Sequence, residues 1–248
     1  APHVFKKDDF YYLVAAEGGT EYGHMVTIFR SKDINGPYLP NPSNPILTNR
    51  SEKNILQCVG HADFIEDFAG NWWLVCLGIR YKGSHAYYHH LGRETMLAPV
   101  KWDDSGWPIV NETGSLNVEM SGPLVNDQSL KSNNVNINFE DDNLELIYLR
   151  NPNKDNYQFE DKCLIMTGSE KTVNDIDEVS FIGLRHRDFD MSYSVDFEII
   201  SDADFGISSF MSHDFHYDIH FNYDNRSLSL VKRMGSINFV DAEVIIPE

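Results

Sequence analysis

The sequence predicts an all-β protein in which propeller-like blades precede an antiparallel β-sandwich. Three observations carry that expectation. Short runs rich in aromatic and β-branched residues, bounded by Gly, Asn and Asp, recur along the chain as strands do, most clearly at Phe10 to Ala16 and Trp72 to Gly78. These two runs also have similar surroundings, and 61 positions separate Tyr11 from Trp72. Pro2-His3-Val4-Phe5 and a polar turn lead into the first run. Gly60-His61-Ala62-Asp63-Phe64-Ile65 and a turn through Asp67 to Asn71 lead into the second. A repeat of that length built from consecutive hairpins points to blades, small sheets that bury their faces only against their neighbours. Beyond Lys162 the chain changes to short alternating segments with a turn about every eight to twelve residues, the pattern of a sandwich.

The remaining elements follow in order. Gly23 to Arg30 alternates as a strand, and Ile34-Asn35-Gly36-Pro37-Tyr38 is a turn. Pro40, Pro42 and Pro45 make the next stretch a loop. Leu91 to Leu97 and Val100 to Trp102 read as strand pieces, followed by a turn at Asp103 to Gly106 and a last short strand, Trp107 to Val110. Between Asn111 and Asn138 the composition shifts to Asn, Ser, Gly and Leu with weak periodicity. The expected division is therefore blades over 1–112, a linker over 113–135 and a sandwich over 136–248. In the sandwich, Lys162 to Gly168, Val179 to Arg187, Ser192 to Ile200, Phe205 to Ser212, Phe215 to Tyr223, Ser227 to Met234 and Ala242 to Ile246 read as strands. The last of these ends so near Glu248 that the sandwich is expected to be partial.

Composition narrows the function. Twenty basic against thirty-eight acidic residues leave a net charge of −18, which repels phosphate backbones and anionic lipid, so neither nucleic acid nor membrane is an expected partner. With 42% hydrophobic and 23% charged residues the chain has the composition of a folded globule. The longest apolar run, Trp72 to Ile79, falls far short of the ~20 residues that cross a bilayer. Cys58, Cys76 and Cys163 form no CxxC pair and are odd in number, which favours a reducing, cytoplasmic setting. Asn-x-Ser/Thr triplets begin at Asn49, Asn111 and Asn225, a pattern common by chance. No targeting segment follows Ala1.

Candidate chemistry is sparse. His213, His216 and His220 suggest a zinc site, but on a strand His216, Asp218 and His220 share one face and Tyr217, Ile219 and Phe221 the other, so a polar sandwich face accounts for them without metal. Tyr87-Tyr88-His89-His90 either lines a pocket or forms a solvated loop. No phosphate-binding glycine loop, Gly-x-Ser-x-Gly or HExxH is present. An acidic chain with 12% aromatic residues suits sugar recognition, where rings cover C–H groups and charged side chains fork onto hydroxyls, although the same residues also serve as core and solvated surface.

Short strings in a fixed order go further. Ala1-Pro2-His3, Ala16-Glu17-Gly18-Gly19-Thr20, Gly23-His24, Gly36-Pro37-Tyr38, Asn44-Pro45-Ile46-Leu47, Gly60-His61-Ala62-Asp63, Leu91-Gly92-Arg93-Glu94-Thr95 and Gly106-Trp107-Pro108 resemble the later part of the catalytic propeller of family 43 glycoside hydrolases, in the two-domain β-xylosidase branch. Tyr148-Leu149-Arg150-Asn151-Pro152, Phe181-Ile182-Gly183-Leu184-Arg185 and His216-Tyr217-Asp218-Ile219 are similar to the sandwich appended to those enzymes. The resemblance implies an incomplete five-bladed propeller and an inverting exo-hydrolysis that releases xylose from β-1,4-xylo-oligosaccharides. An α-L-arabinofuranosidase of the same family, or a non-catalytic sugar-binding module, is the alternative.

It further implies that Arg93 binds sugar hydroxyls, that His61 lies at the pocket floor near the axis and that Thr20 lies at its edge. The family's general acid precedes the Ala-Pro-His string, and its base and tuning aspartate lie in earlier blades. No catalytic residue is therefore expected within this chain, and Glu17, Glu94 and Asp63 are only its nearest carboxylates. Arg93 and Glu94 alternate in direction, so one of them faces the pocket, and Arg93 is the choice. No metal ligand is assigned. Some members hold calcium near the axial histidine, but no carboxylate cluster here requires it. Open sheet edges lead us to expect self-association or pairing with a separate N-terminal segment.

Overall fold

The computed structural model describes residues 2–83, 88–123, 134–139 and 145–247, which divide into two compact units, Ala1–Leu130 and Lys131–Glu248. In the first, β1 (His3–Lys7), β2 (Phe10–Glu17), β3 (Met25–Ser31) and β4 (Leu39–Pro40) form an antiparallel meander. A second meander follows with β5 (Leu56–Glu66), β6 (Trp72–Arg80), β7 (Glu94–Trp102) and β8 (Pro108–Val110). These are two propeller blades, and the sequence repeat is the repeat of the blade.

The equivalence is shifted by one residue from the sequence alignment. The first ladder opens at Lys7↔Phe10 and the second at Glu66↔Trp72, so Phe10 rather than Tyr11 is the counterpart of Trp72. A one-residue slip exchanges the faces of a strand, and burial confirms the register, since Tyr12 and Leu74 at matching positions are both buried. β7 is one strand where the sequence suggests two. Pro99 lies inside it opposite Trp73, and its carbonyl accepts from Asn111 N at 2.9 Å. The absent N–H falls on that same side, past the last pair with β8, so no ladder bond is lost.

Aromatic rings join the blades. Phe5 stacks on Tyr12 of its own sheet and on Phe64 of the next, each at 5.3 Å between centroids, and Trp72 meets Trp102 edge-on at 5.3 Å. Such pairs contribute about 0.5–1.5 kcal/mol each beyond the area they bury. Val14, Val26, Ile28, Leu47 and Leu116 complete this core. Leu116 is 0% exposed, which corrects the expected linker over 113–135, because its first residues pack into the blades. Asn49 clamps it: the side-chain amide donates to the Leu56 and Leu116 carbonyls (3.0 and 2.9 Å) and accepts from Leu116 N (2.8 Å). So placed, Asn49 is no glycosylation acceptor. Residues 124–133 of the expected linker lie outside the described residues.

Two hairpin turns in the second blade share one chemistry. Asp67 accepts from the backbone N–H of Ala69 and Asn71 (2.8 and 2.9 Å) and from Trp73 Nε1 (3.0 Å), while Asp103 accepts from Trp107 N (2.8 Å) and Ser105 Oγ (2.7 Å). These bonds favour the charged form, so the Asp67 carboxyl is held down at about 2 and Asp103 is also lowered. Both folded values lie below the ordinary aspartate value, so their stabilisation is complete above about pH 4 and is lost as pH falls through the folded values. Asp67→Asn is therefore expected to lower the melting temperature at neutral pH. In melts run from about pH 7 down to about pH 2, the gap to wild type should close toward the acid end, and a gap independent of pH would refute the assignment.

In the second unit, β9 (Ile147–Tyr148) pairs with β12 (Ile182–Gly183), β10 (Tyr157–Glu160) pairs with β11 (Cys163–Met166), and β13 (Phe205–Ser212), β14 (Phe215–Asn222), β15 (Ser227–Met234) and β16 (Ile237–Ile245) form a meander. Most of the predicted sandwich strands are present. Val179 to Arg187 pairs only at Ile182 and Gly183, and Ser192 to Ile200 forms no ladder, since alternation supplies a pattern but not a partner for it among the described residues. Residues 140–144 and 248 of the expected sandwich lie outside the described residues.

The expected burial is inverted over the first part of β14, where His216 is 3% exposed and Tyr217 and Ile219 are 48% and 46% exposed, whereas Phe221 is buried as expected. Burial of His216 is offset by its Nδ1 bond to Asp218 at 2.8 Å. His213 and His220 meet different carboxylates, Asp214 at 3.2 Å and Asp204 at 3.5 Å, so the three imidazoles do not converge. No group of three or more His, Cys, Asp or Glu among the described residues is placed to hold a metal.

Candidate functional site

A pocket of about 430 Å³ lies at one end of the two blades. Four segments make it. Thr20, Glu21 and Tyr22 come from the loop between β2 and β3, Cys58 and Ile79 from β5 and β6, and His89, Gly92 and Arg93 from the segment entering β7.

Each segment is held by local chemistry. The β2–β3 loop closes at a narrow neck, where a Cβ on Gly18 would lie 2.0 Å from the Gly23 carbonyl oxygen, and Gly18 has φ +77°. Only glycine permits both the conformation and the approach. Past the neck, His24 N donates to the Glu21 carbonyl (2.9 Å) and fixes the turn that carries Thr20 and Glu21. The His24 ring is buried, with Nδ1 3.0 Å from the Cys58 carbonyl, so this imidazole ties the loop to β5. It fits because Gly60 has no side chain.

β5 is irregular here. Its register to β6 shifts between Gln57 and Gly60 and again between Gly60 and Asp63, and the non-glycine residues Cys58 and His61 have φ of +55° and +54°. Bulges of this kind re-aim side chains and concentrate beside functional sites. The first presents Cys58 to the pocket, where burial foremost, and the Glu21 charge next, push its thiol up.

At β7, Glu94 is engaged by Arg80, Nε to Oε2 and Nη2 to Oε1 both at 2.9 Å, a two-pronged pair that anchors the strand's first residue. Arg93, one residue earlier, lines the pocket and makes no hydrogen bond or ion pair to a described residue.

The structure thus brings Thr20 and Arg93 together. His61 is not with them: it is exposed at the second bulge, its ring edge-on to His3 at 6.0 Å. The three carboxylates near the motifs are engaged elsewhere. Glu17 accepts from Thr27 Oγ1 (2.7 Å), Glu94 holds Arg80, and Asp63 meets His3 Nδ1 (3.1 Å). Of the loop Tyr87 to His90, His89 lines the pocket, and Tyr87, like Ala1, lies outside the described residues. Sequence reasoning missed Glu21 and Tyr22, although both follow Thr20 directly. It also missed Cys58, which only a backbone bulge exposes.

Comparison with known proteins matches both units to described families. Residues 1–108 match glycosyl hydrolases family 43, and residues 136–247 match the β-xylosidase C-terminal concanavalin A-like domain. A non-reducing-end α-L-arabinofuranosidase of Bacteroides ovatus is 39% identical over 198 residues, which is 78% of this chain and 37% of that protein. A xylosidase/arabinosidase of Butyrivibrio fibrisolvens is 47% identical over 113 residues, 44% of this chain and 21% of that one. The crystal structure of the family 43 BlXynB protein from Bacillus licheniformis superimposes with a TM-score of 0.87 at 27% identity, covering 99% of this chain and 49% of that chain. The chain spans half or less of the length of the proteins it matches.

Proposed function

The chain belongs to glycosyl hydrolase family 43, and we propose that it supplies the sugar-gripping wall of an exo-glycosidase that releases terminal pentoses, xylose from β-1,4-xylo-oligosaccharides or α-L-arabinofuranose from side chains. The observation that carries this reading is Arg93, a permanent cation in the pocket with no ion pair or hydrogen bond to a described residue. A guanidinium donates through five N–H groups in a rigid fork, which suits adjacent sugar hydroxyl oxygens. Thr20, on the same pocket, adds a hydroxyl that both donates and accepts. The arabinofuranosidase reading is kept because the relative from Bacteroides ovatus bears that name.

Hydrolysis with inversion needs two carboxylates about 6.5–9.5 Å apart, one to activate water and one to protonate the leaving oxygen. Among the described lining residues Glu21 is the one carboxylate, and Glu17, Asp63 and Glu94 are bonded elsewhere. This chain by itself is therefore expected to bind without cleaving, with the carboxylate pair contributed by the rest of the enzyme. Nitrophenyl β-D-xylopyranoside and nitrophenyl α-L-arabinofuranoside test both parts. The full-length enzyme should release nitrophenol from at least one, and their ratio assigns the sugar. Turnover by residues 1–248 alone at an ordinary glycosidase rate would overturn the division of labour.

A further inference from the structure

Arg93 and Glu21 carry opposite charges into the same pocket, yet neither pairs with the other within 4.0 Å. Ordinarily two such groups in a space of about 430 Å³ close on each other, because an arginine fork and a carboxylate match in geometry. Here each is held back by its own segment. Glu21 sits in the turn fixed by His24 N, beyond the Gly18–Gly23 neck, and Arg93 sits beside Glu94, which Arg80 anchors. The Cys58 thiol lines the same pocket as the carboxylate.

We propose that Glu21 is a specificity-determining residue: with Arg93 it forms a separated acceptor and donor pair that takes hydroxyls of a neutral pentose and turns away sugars carrying a carboxylate. The inference rests on the pentose-releasing function proposed above and names the class of sugar that function refuses. Glu21 accepts from hydroxyl hydrogens and Arg93 donates to hydroxyl oxygens, so a neutral polyol satisfies both. Without Glu21, the unpaired arginine would instead favour an anion, which it holds by two parallel bonds. With Glu21 present, an incoming carboxylate meets a like charge, and rejection of the wrong ligand is built into the site.

D-Glucuronate provides the probe, because it is D-xylose with a carboxylate on C5. Affinities for D-xylose and D-glucuronate are measured by ligand-observed NMR titration on the full-length protein, so the readout does not depend on catalysis. Wild type should prefer xylose. Glu21→Gln should shift the preference toward glucuronate by about three-fold to ten-fold, whereas Glu21→Asp, which keeps the charge, should not. The difference in preference between wild type and Glu21→Gln should also shrink between about 0.01 M and 0.5 M salt, since screening weakens the contribution of the Glu21 charge.

A preference unchanged in Glu21→Gln overturns the proposal, as does a wild-type protein that fails to bind xylose. If Glu21→Gln does not fold, Glu21→Ser is measured in its place, and a preference unchanged in it overturns the proposal. A protein that discriminates as described but cleaves neither nitrophenyl pentoside sinks the glycosidase reading and leaves the role of Glu21 standing. Cleavage with an unshifted preference does the reverse.

Discussion

Arg93→Ala in the full-length enzyme is expected to lower kcat/KM on nitrophenyl pentosides by about 10²-fold to 10³-fold while leaving the melting temperature unchanged. The size follows from losing two charge-assisted hydrogen bonds to the sugar, each about 1.5–2 kcal/mol. The null effect on stability follows from the exposure of Arg93 and from the absence of a hydrogen bond or ion pair between it and any described residue. Arg93→Lys restores the charge but not the fork, so it should recover only part of the loss. A loss confined to KM would mean that the arginine binds ground state and transition state alike, and a fall in kcat that its grip tightens during reaction. Activity of Arg93→Ala within about three-fold of wild type would remove Arg93 from the site.

The second large effect is on stability. Gly60→Ala places a Cβ 2.5 Å from both Cε1 and Nε2 of the His24 ring, a separation that real side chains do not adopt. The ring cannot yield cheaply. It is 3% exposed, and its Nδ1 is engaged with the Cys58 carbonyl. Overpacking of this kind costs about 2–3 kcal/mol. It should also weaken sugar binding, because His24 connects the Glu21 turn to the Cys58 bulge. The cause can be isolated with His24→Ala, in whose background the cost of Gly60→Ala should fall below about 1 kcal/mol. Urea unfolding followed by tryptophan fluorescence reports on this unit, since Trp72, Trp73, Trp102 and Trp107 are the chain's four tryptophans. Equal costs in the two backgrounds would show that the strain lies in the backbone rather than against the ring.

Much of the fold was legible along the chain, for a physical reason. Strand and hairpin signals are local, so β2, β3, β6, β13, β14 and β15 appear where runs of aromatic and β-branched residues end in turn residues. What local pattern lacked was register. The Tyr11 to Trp72 alignment misses the true counterpart by one residue because turn length sets the ladder, and the two turns differ. Ser192 to Ile200 shows the same limit, since alternation marks a segment fit to pair and leaves its neighbour unspecified. At the pocket, motif resemblance named Thr20 and Arg93, and both line it. Glu21 and Cys58 were not, because a turn anchored by His24 and a bulge in β5 make them neighbours.

By itself the sequence determined that this protein is all-β and that its first part repeats as blades, since composition, period and motif are carried residue by residue. Only the tertiary structure decided which charges meet. Glu94 is taken by Arg80, Glu17 by Thr27 and Asp63 by His3, leaving Arg93 and Glu21 in one pocket without a bond between them. Likewise it turned His216 inward beside Asp218, where the sequence placed a solvated face. Pairing between charges depends on distances across strands far apart in the chain, and no window of sequence contains those distances.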